Sequence, residues 1–153
     1  MIKTVKKDIT TVTHGNIAHQ VNCQGVMGAG VAAAIARKWP VVKKAYLETF
    51  PLDCPSDTLL GRVQWVRVSD TLHVANIFGQ DKFGGDGKLY TDLDSLRYGL
   101  HTLFIVCENV DEPLYLPKIG SGLGGADWDT EVFPIIHELH GDHPIDLTIC
   151  EWE

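Results

Sequence analysis

Cysteine is scarce in this chain, and the four present keep apart. Cys23, Cys54, Cys107 and Cys150 form no C-x-x-C pair. Neither a zinc site nor a secreted disulfide scaffold is indicated, and reduced thiols are expected. Long apolar runs are missing too: no stretch approaches the roughly 20 residues that cross a bilayer. The segment from Met1 to Asp8 mixes Lys with β-branched residues and lacks the apolar stretch and small-residue cleavage site of a signal peptide. The expectation is a cytoplasmic protein with no membrane partner. Positive charge is also in short supply. Lys and Arg number 13 against 20 Asp and Glu, for a net charge of −7, and the densest basic cluster is only Lys3, Lys6 and Lys7. A nucleic-acid polymer normally meets a basic stripe, so it is not an expected partner. A small anion stays open, because main-chain N–H groups and helix N-termini hold phosphate without Lys or Arg.

What is present is a core. Hydrophobic residues make up 44% of 153 positions, enough for one domain over 1–153 that needs neither disulfide nor structural metal. Strand-like and helix-like segments alternate. Ile2 to Val5 and Ile17 to Asn22 read as strands, and Val31 to Lys38 as Ala-rich helix. Pro40 suits the first turn of another helix, which Pro51 closes. Gly61 to Val68 and Leu72 to Phe78 read as strands, and Gly79 to Lys88 as a mobile glycine-rich loop. Thr91 to Cys107 is the clearest helix, with Leu93, Leu96, Leu100, Leu103, Phe104 and Cys107 on one face and Thr91 as its cap. Leu114 to Ile119 is a short buried strand. Val132, Ile135, Ile136 and Leu139 mark a last helix, which Pro134 either delays or distorts and Gly141 ends. Ile145 to Cys150 is a final strand. Alternation of this kind implies a layered α/β sandwich.

Two glycine-bearing turns run from strand to helix: Gly25 to Gly30, and Gly120-Ser121-Gly122-Leu123-Gly124-Gly125. In α/β sheets, ligands sit beyond the carboxyl ends of strands. Two such turns together favour one pyrophosphate site over two unrelated tight turns. The second turn matches G-x-G-x-x-G, but only one strand follows it, whereas a dinucleotide fingerprint opens a βαβαβ half; Glu151 or Glu153 would have to imitate the ribose-binding acid. A dinucleotide-binding oxidoreductase fragment therefore ranks last. Gly87-Lys88 precedes Leu89 where a P-loop needs Ser or Thr. His137, His140 and His143 lack the spacing and acidic partner of helical zinc motifs, and no metal or cofactor is expected. His19 and Asn22 lie three apart, so they share a site only if their strand ends or bulges between them. Otherwise His19 is a structural histidine.

The stretch His19-Gln20-Val21-Asn22-Cys23-Gln24-Gly25-Val26-Met27-Gly28-Ala29-Gly30-Val31-Ala32 resembles the first ligand loop of macrodomains. Leu116 to Trp128 resembles their second loop, and Asp8-Ile9-Thr10 matches their adenine-contacting motif. The resemblance runs in order over nearly the whole chain. It is nearest to the branch that holds ADP-ribose 1''-phosphate phosphatases and terminal ADP-ribose glutamate hydrolases. The resemblance implies a three-layer α/β/α fold around a mixed, mostly parallel six-stranded sheet. It implies ADP-ribose or a derivative as ligand, and it admits an ADP-ribosylated protein as partner. Asp8 would then accept from the adenine amino group, with Ile9 packed nearby. Asn22, with Gln24 beside it, would hold the distal ribose. Met27, Gly28, Ala29, Gly30 and Val31 would wrap the pyrophosphate and distal ribose, and Ile119, Gly120, Ser121, Gly122, Leu123 and Gly124 would cover the diphosphate from the other side.

The resemblance also locates the chemistry. The glutamate hydrolases carry a catalytic Asp directly after the G-x-G-L turn, where this chain has Gly124. Asp127 replaces it only if the loop folds back by three residues, and Lys82 stands in the region of the lysine that partners that Asp. The phosphatases carry a His before the loop asparagine, as His19 precedes Asn22 here. His19 would orient water or act as acid or base with a pKa near neutrality. The expected activity is hydrolysis of an ADP-ribose derivative: phosphate release from ADP-ribose 1''-phosphate, or cleavage of an ADP-ribosyl linkage. The alternative is a non-catalytic module that reads or sequesters ADP-ribose-type nucleotides.

Overall fold

The computed structural model describes residues 1–151. Six strands alternate with helices: β1 (Ile2–Lys6), β2 (Gly15–Asn22), α1 (Gly30–Lys38), α2 (Pro40–Leu47), β3 (Val63–Arg67), β4 (Leu72–Gln80), α3 (Leu93–Val110), β5 (Leu114–Leu116), α4 (Phe133–Asp142) and β6 (Leu147–Glu151). The sheet order is β1-β6-β5-β2-β4-β3. Every pairing is parallel except β3 with β4. A parallel sheet must be covered on both faces, and the period of two along each strand does this. Ala18, Ala75 and Ile77 enter one core with Leu96, Leu100 and Leu103 of α3 and Ile136 of α4. Ile17 and Val74 enter a second with Ile35 of α1 and Val42 of α2. The expected three-layer α/β/α arrangement with its mixed, mostly parallel six-stranded sheet is what forms.

Several boundaries differ from expectation, each for a local reason. Helix α2 stops at Leu47, four residues before Pro51. Strand β4 runs through Gly79 and Gln80, so the glycine-rich loop begins later than expected. Strand β5 ends at Leu116, where Pro117 has no N–H for the ladder. Thr91 does not cap α3. Asp92 does, accepting from the Ser95 N–H, while Thr91 is buried. Pro134 is absorbed in the first turn of α4, and a π-turn over Trp128–Val132 leads into it. Gly141 does not end α4, which continues to Asp142. No helix among the described residues is long and apolar enough to cross a membrane.

Candidate functional site

Strands β2 and β5 lie side by side and run parallel. Their carboxyl ends therefore release the two glycine turns at the same edge of the sheet, although about a hundred residues of chain separate them. One cleft of about 1110 Å³ results, and both turns line it. A methyl group placed on Gly30 would sit 4.0 Å from the Leu123 side chain of the opposite turn.

Each turn presents main-chain donors. Helix α1 starts at Gly30 with Ala29 at its cap position, and Ala29 offers no side-chain acceptor. The first-turn N–H groups of an α-helix have no partner within the helix, so this end is left open to an anion from outside. Across the cleft, the N–H groups of Gly122, Leu123 and Gly124 have no acceptor among the described residues. Their orientation is set from behind. The Gly124 carbonyl accepts from the N–H groups of Tyr90 (2.8 Å) and Thr91 (2.9 Å). The Gly120 carbonyl accepts from the Thr91 hydroxyl at 2.8 Å and the Ala126 N–H at 3.1 Å. With its carbonyls held by residues 90, 91 and 126, the turn has its N–H groups to spare. The approach is too close for a side chain at position 124, where a Cβ would meet the Gly120 carbonyl oxygen at 2.6 Å. Gly120 itself has φ +77°, a conformation L side chains avoid.

Side-chain charge contributes little to the cleft. Among the described residues its lining holds one cation and one anion, Lys118 and Glu151, and these pair with each other at 3.0 Å. Cys150 also lines it, but burial pushes its thiol up, away from thiolate chemistry.

The site residues expected from sequence divide clearly. Ile9, His19, Asn22, Met27 through Val31 and Ile119 through Gly124 all line the cleft. Asp8 lies next to Ile9 but outside the lining; it is exposed, and its Oδ1 accepts from the Thr10 N–H and hydroxyl, which lower its pKa. Gln24 does not reach the cleft: its amide donates instead to the Asp81 carboxylate at 2.9 Å. Asp127 does not fold back either. It caps the π-turn through the Thr130 N–H at 2.9 Å and stays outside the cleft. Lys82 is likewise exposed and outside the lining. Glu151 is taken by Lys118, and Glu153 lies outside the described residues. Of the three histidines near the end of α4, His140 bonds the Ile145 carbonyl and His143 bonds Glu108. No group of His, Cys, Asp or Glu among the described residues is arranged to hold a metal ion.

The bulge that His19 and Asn22 require is present. The β2–β4 register shifts between Val21 and Asn22. His19 lies on the cleft floor, 1% exposed, bonded through Nε2 to Asn76 Oδ1 and with Nδ1 unpartnered. Burial pushes its pKa down to about 4, only partly opposed by the Asn76 bond, rather than leaving it near neutrality. Asn22 holds the first turn together. Its Oδ1 accepts from the Gln24 N–H at 2.9 Å and the Tyr46 hydroxyl at 2.8 Å, and its Nδ2 donates to the Val26 carbonyl at 2.7 Å.

Two contributors escaped the sequence reading. Tyr46 lies on α2, and its buried hydroxyl, which donates to Asn22, also accepts from the Gly25 N–H at 3.1 Å. A buried tyrosine hydroxyl needs such partners, and that was the available signal. Thr91, read as a cap, instead braces the second turn.

No family model matches the chain. It is 31% identical over 122 residues to an ADP-ribose 1''-phosphate phosphatase of Lodderomyces elongisporus, covering 74% of each. It is 30% identical over 173 residues to a protein of the same name from Debaryomyces hansenii, covering 92% of this chain and 96% of that one. Among solved structures, a macrodomain protein from Streptomyces coelicolor superposes with a TM-score of 0.77 at 26% identity, over 100% of this chain and 99% of the other. Thermosipho africanus DarTG in complex with ADP-ribose shares the fold, with a TM-score of 0.76 at 19% identity over 99% of this chain and 41% of that one. By sequence over most of its length and by fold over all of it, the chain belongs to the macrodomain family.

Proposed function

We propose that the cleft binds ADP-ribose and that the protein hydrolyses an ADP-ribose derivative, with ADP-ribose 1''-phosphate as the first substrate to test. The observation that carries this reading is the pairing of an uncapped helix N-terminus with a second set of spare N–H groups across one crevice. Dipoles of this kind offset diphosphate charge without a free Lys or Arg, and this explains how a chain of net charge −7 accepts an anionic nucleotide. Met27 to Val31 and Ile119 to Gly124 take the diphosphate. Asp8, through its second carboxylate oxygen, and Ile9 take the adenine. His19 and Asn22 position the reacting groups at the distal ribose. The names of the two curated relatives support phosphate release as the reaction. Gly124 in place of the glutamate hydrolases' Asp, with Asp127 turned away, argues against their chemistry.

Calorimetric titration with ADP-ribose, together with phosphate release from ADP-ribose 1''-phosphate, tests the reading. Asp8→Asn keeps an acceptor for Thr10 but removes the charge; affinity is expected to fall by about 1 kcal/mol, less than a buried charged acceptor contributes because Asp8 is exposed. No heat with ADP-ribose defeats the proposal. Binding without turnover favours a non-catalytic reader, a second reading supported by one fact: among the described residues the only carboxylate in the lining is Glu151, already paired. A ligand carried on an ADP-ribosylated protein is supported by the exposed apolar side chains of Val26, Phe83 and Leu123 in the cleft lining. The four unpaired cysteines support a cytoplasmic location.

A further inference from the structure

We infer that a directional hydrogen-bond chain from helix α2 holds His19 as its Nε2–H tautomer, and that Nδ1 is thereby kept as an acceptor for an O–H group at the cleft floor. The chain begins at a group whose role is not negotiable. The Ala45 carbonyl can only accept, and it accepts from Gln64 Nε2 at 2.9 Å. Gln64 Oε1 therefore faces Asn76 and accepts from its Nδ2 at 3.0 Å. Asn76 Oδ1 then faces His19 Nε2 at 2.5 Å. An amide oxygen has no proton to give, so the proton between them belongs to the imidazole.

Other arrangements fail on the same chain. Rotating the Asn76 amide alone would set its oxygen against Gln64 Oε1. Rotating both amides would set Gln64 Oε1 against the Ala45 carbonyl. The opposite histidine tautomer would oppose two lone pairs at Nε2 and strand an N–H at Nδ1. His19 and Asn76 are 1% and 0% exposed, so a mismatch at their contact cannot be relieved by solvent and carries the full cost of an unmade buried hydrogen bond; Gln64 and Ala45 are half-buried, so a mismatch there costs less but still opposes two acceptors. The remaining cost in the observed arrangement is the single lone pair on Nδ1, a buried atom with no partner. Nδ1 is closed to solvent as the cleft stands, so a hydroxyl completes it once the lining yields enough to admit one, either from the ligand's distal ribose or from a water held beneath it. Gln64 and Asn76 are positioning residues for this acceptor; neither lines the cleft. The ligand half of the inference rests on the ADP-ribose reading, whereas the tautomer does not.

Nitrogen-15 NMR of the histidine side chains reads the tautomer directly, with the His19 signals assigned by their loss in His19→Gln. In the ligand-free protein at neutral pH, Nε2 is expected at the protonated position and Nδ1 at the unprotonated one. A protonated Nδ1, or an averaged pair, overturns the inference. Gln64→Leu removes the fixed end of the chain and frees the Asn76 amide to rotate, so a mixture of tautomers is expected. Gln64→Glu loses the Ala45 contact, where its second oxygen opposes the carbonyl, but with oxygens alone it offers Asn76 Nδ2 nothing except an acceptor; it is expected to restore the single tautomer at some loss of stability. A pure Nε2–H form in Gln64→Leu shows that the chain does not set it. Adding ADP and then ADP-ribose identifies the donor. An Nδ1 shift with ADP-ribose alone marks a distal ribose hydroxyl; an Nδ1 already displaced in the free protein and unchanged by either marks water. A bare lone-pair position throughout overturns the acceptor role. Failure of ADP-ribose to bind sinks the preceding functional reading and leaves the tautomer assignment standing.

Discussion

His19 carries the sharpest consequence at the scale of a single residue. Burial lowers its pKa from an ordinary 6.5 to about 4. The unfolded chain takes up a proton near pH 6.5, and the folded chain does not until about pH 4. The native state therefore keeps its full stability above pH 6.5 and loses it as pH falls through this window, by about 3 kcal/mol in total. Urea midpoints at pH 7.5 and pH 4.5 measure the loss, and His19→Gln should flatten it. Equal midpoints in the unsubstituted protein would show that the imidazole is not held neutral in the fold. The sequence exposed this residue as a candidate, and its distance of three from Asn22 flagged the need for a bulge. What it concealed was the neighbourhood. Asn76 and Gln64 sit 57 and 45 positions along the chain from His19, and no local pattern links a strand histidine to an amide that far away.

Among elements, the segment leading into α3 shows how one side chain's role depends on what packs behind it. Thr91 and Asp92 are adjacent and both suit a helix cap. Asp92 caps α3 through Ser95, whereas Thr91 turns inward to join Gln20 Nε2 and the Gly120 carbonyl, each at 2.8 Å. The two are expected to separate by experiment. Asp92→Ala should cost about 1 kcal/mol of stability and leave ligand affinity alone. Thr91→Val should cost about 1–2 kcal/mol, because it removes two hydrogen bonds from half-buried groups that each keep one other partner, and should also weaken ADP-ribose binding by loosening the second turn. Denaturant unfolding and calorimetry on both variants check this. Helix α3 was legible because its apolar residues recur at helical spacing over five turns. Its first residue was not, because a β-region Thr and a capping Asp look alike until the second glycine turn is placed beside one of them.

Over the whole molecule, the cleft couples to the fold. A ligand that bridges the turns after β2 and β5 ties together two chain segments that only the folded sheet brings into contact. Saturating ADP-ribose at about 100 times its dissociation constant should raise the unfolding free energy by about 2.7 kcal/mol. A thermal melt with and without nucleotide measures this, and no shift would mean the two turns do not share a ligand. The alternation of strands and helices, the apolar faces, the two glycine turns and the shortage of cations were all written locally, in residue type and spacing, and they determined the fold class and pointed to a small anion held by main-chain groups. The sheet order was not local. Placing β5 against β2 is a long-range pairing, and that pairing alone decided that both turns open on one crevice. It decided as well that Gln24 and Asp127, which the motifs put near the ligand, spend their polar atoms on Asp81 and Thr130 instead. A side chain's nearest unsatisfied partner is set by packing, and packing exists only once the chain has closed on itself.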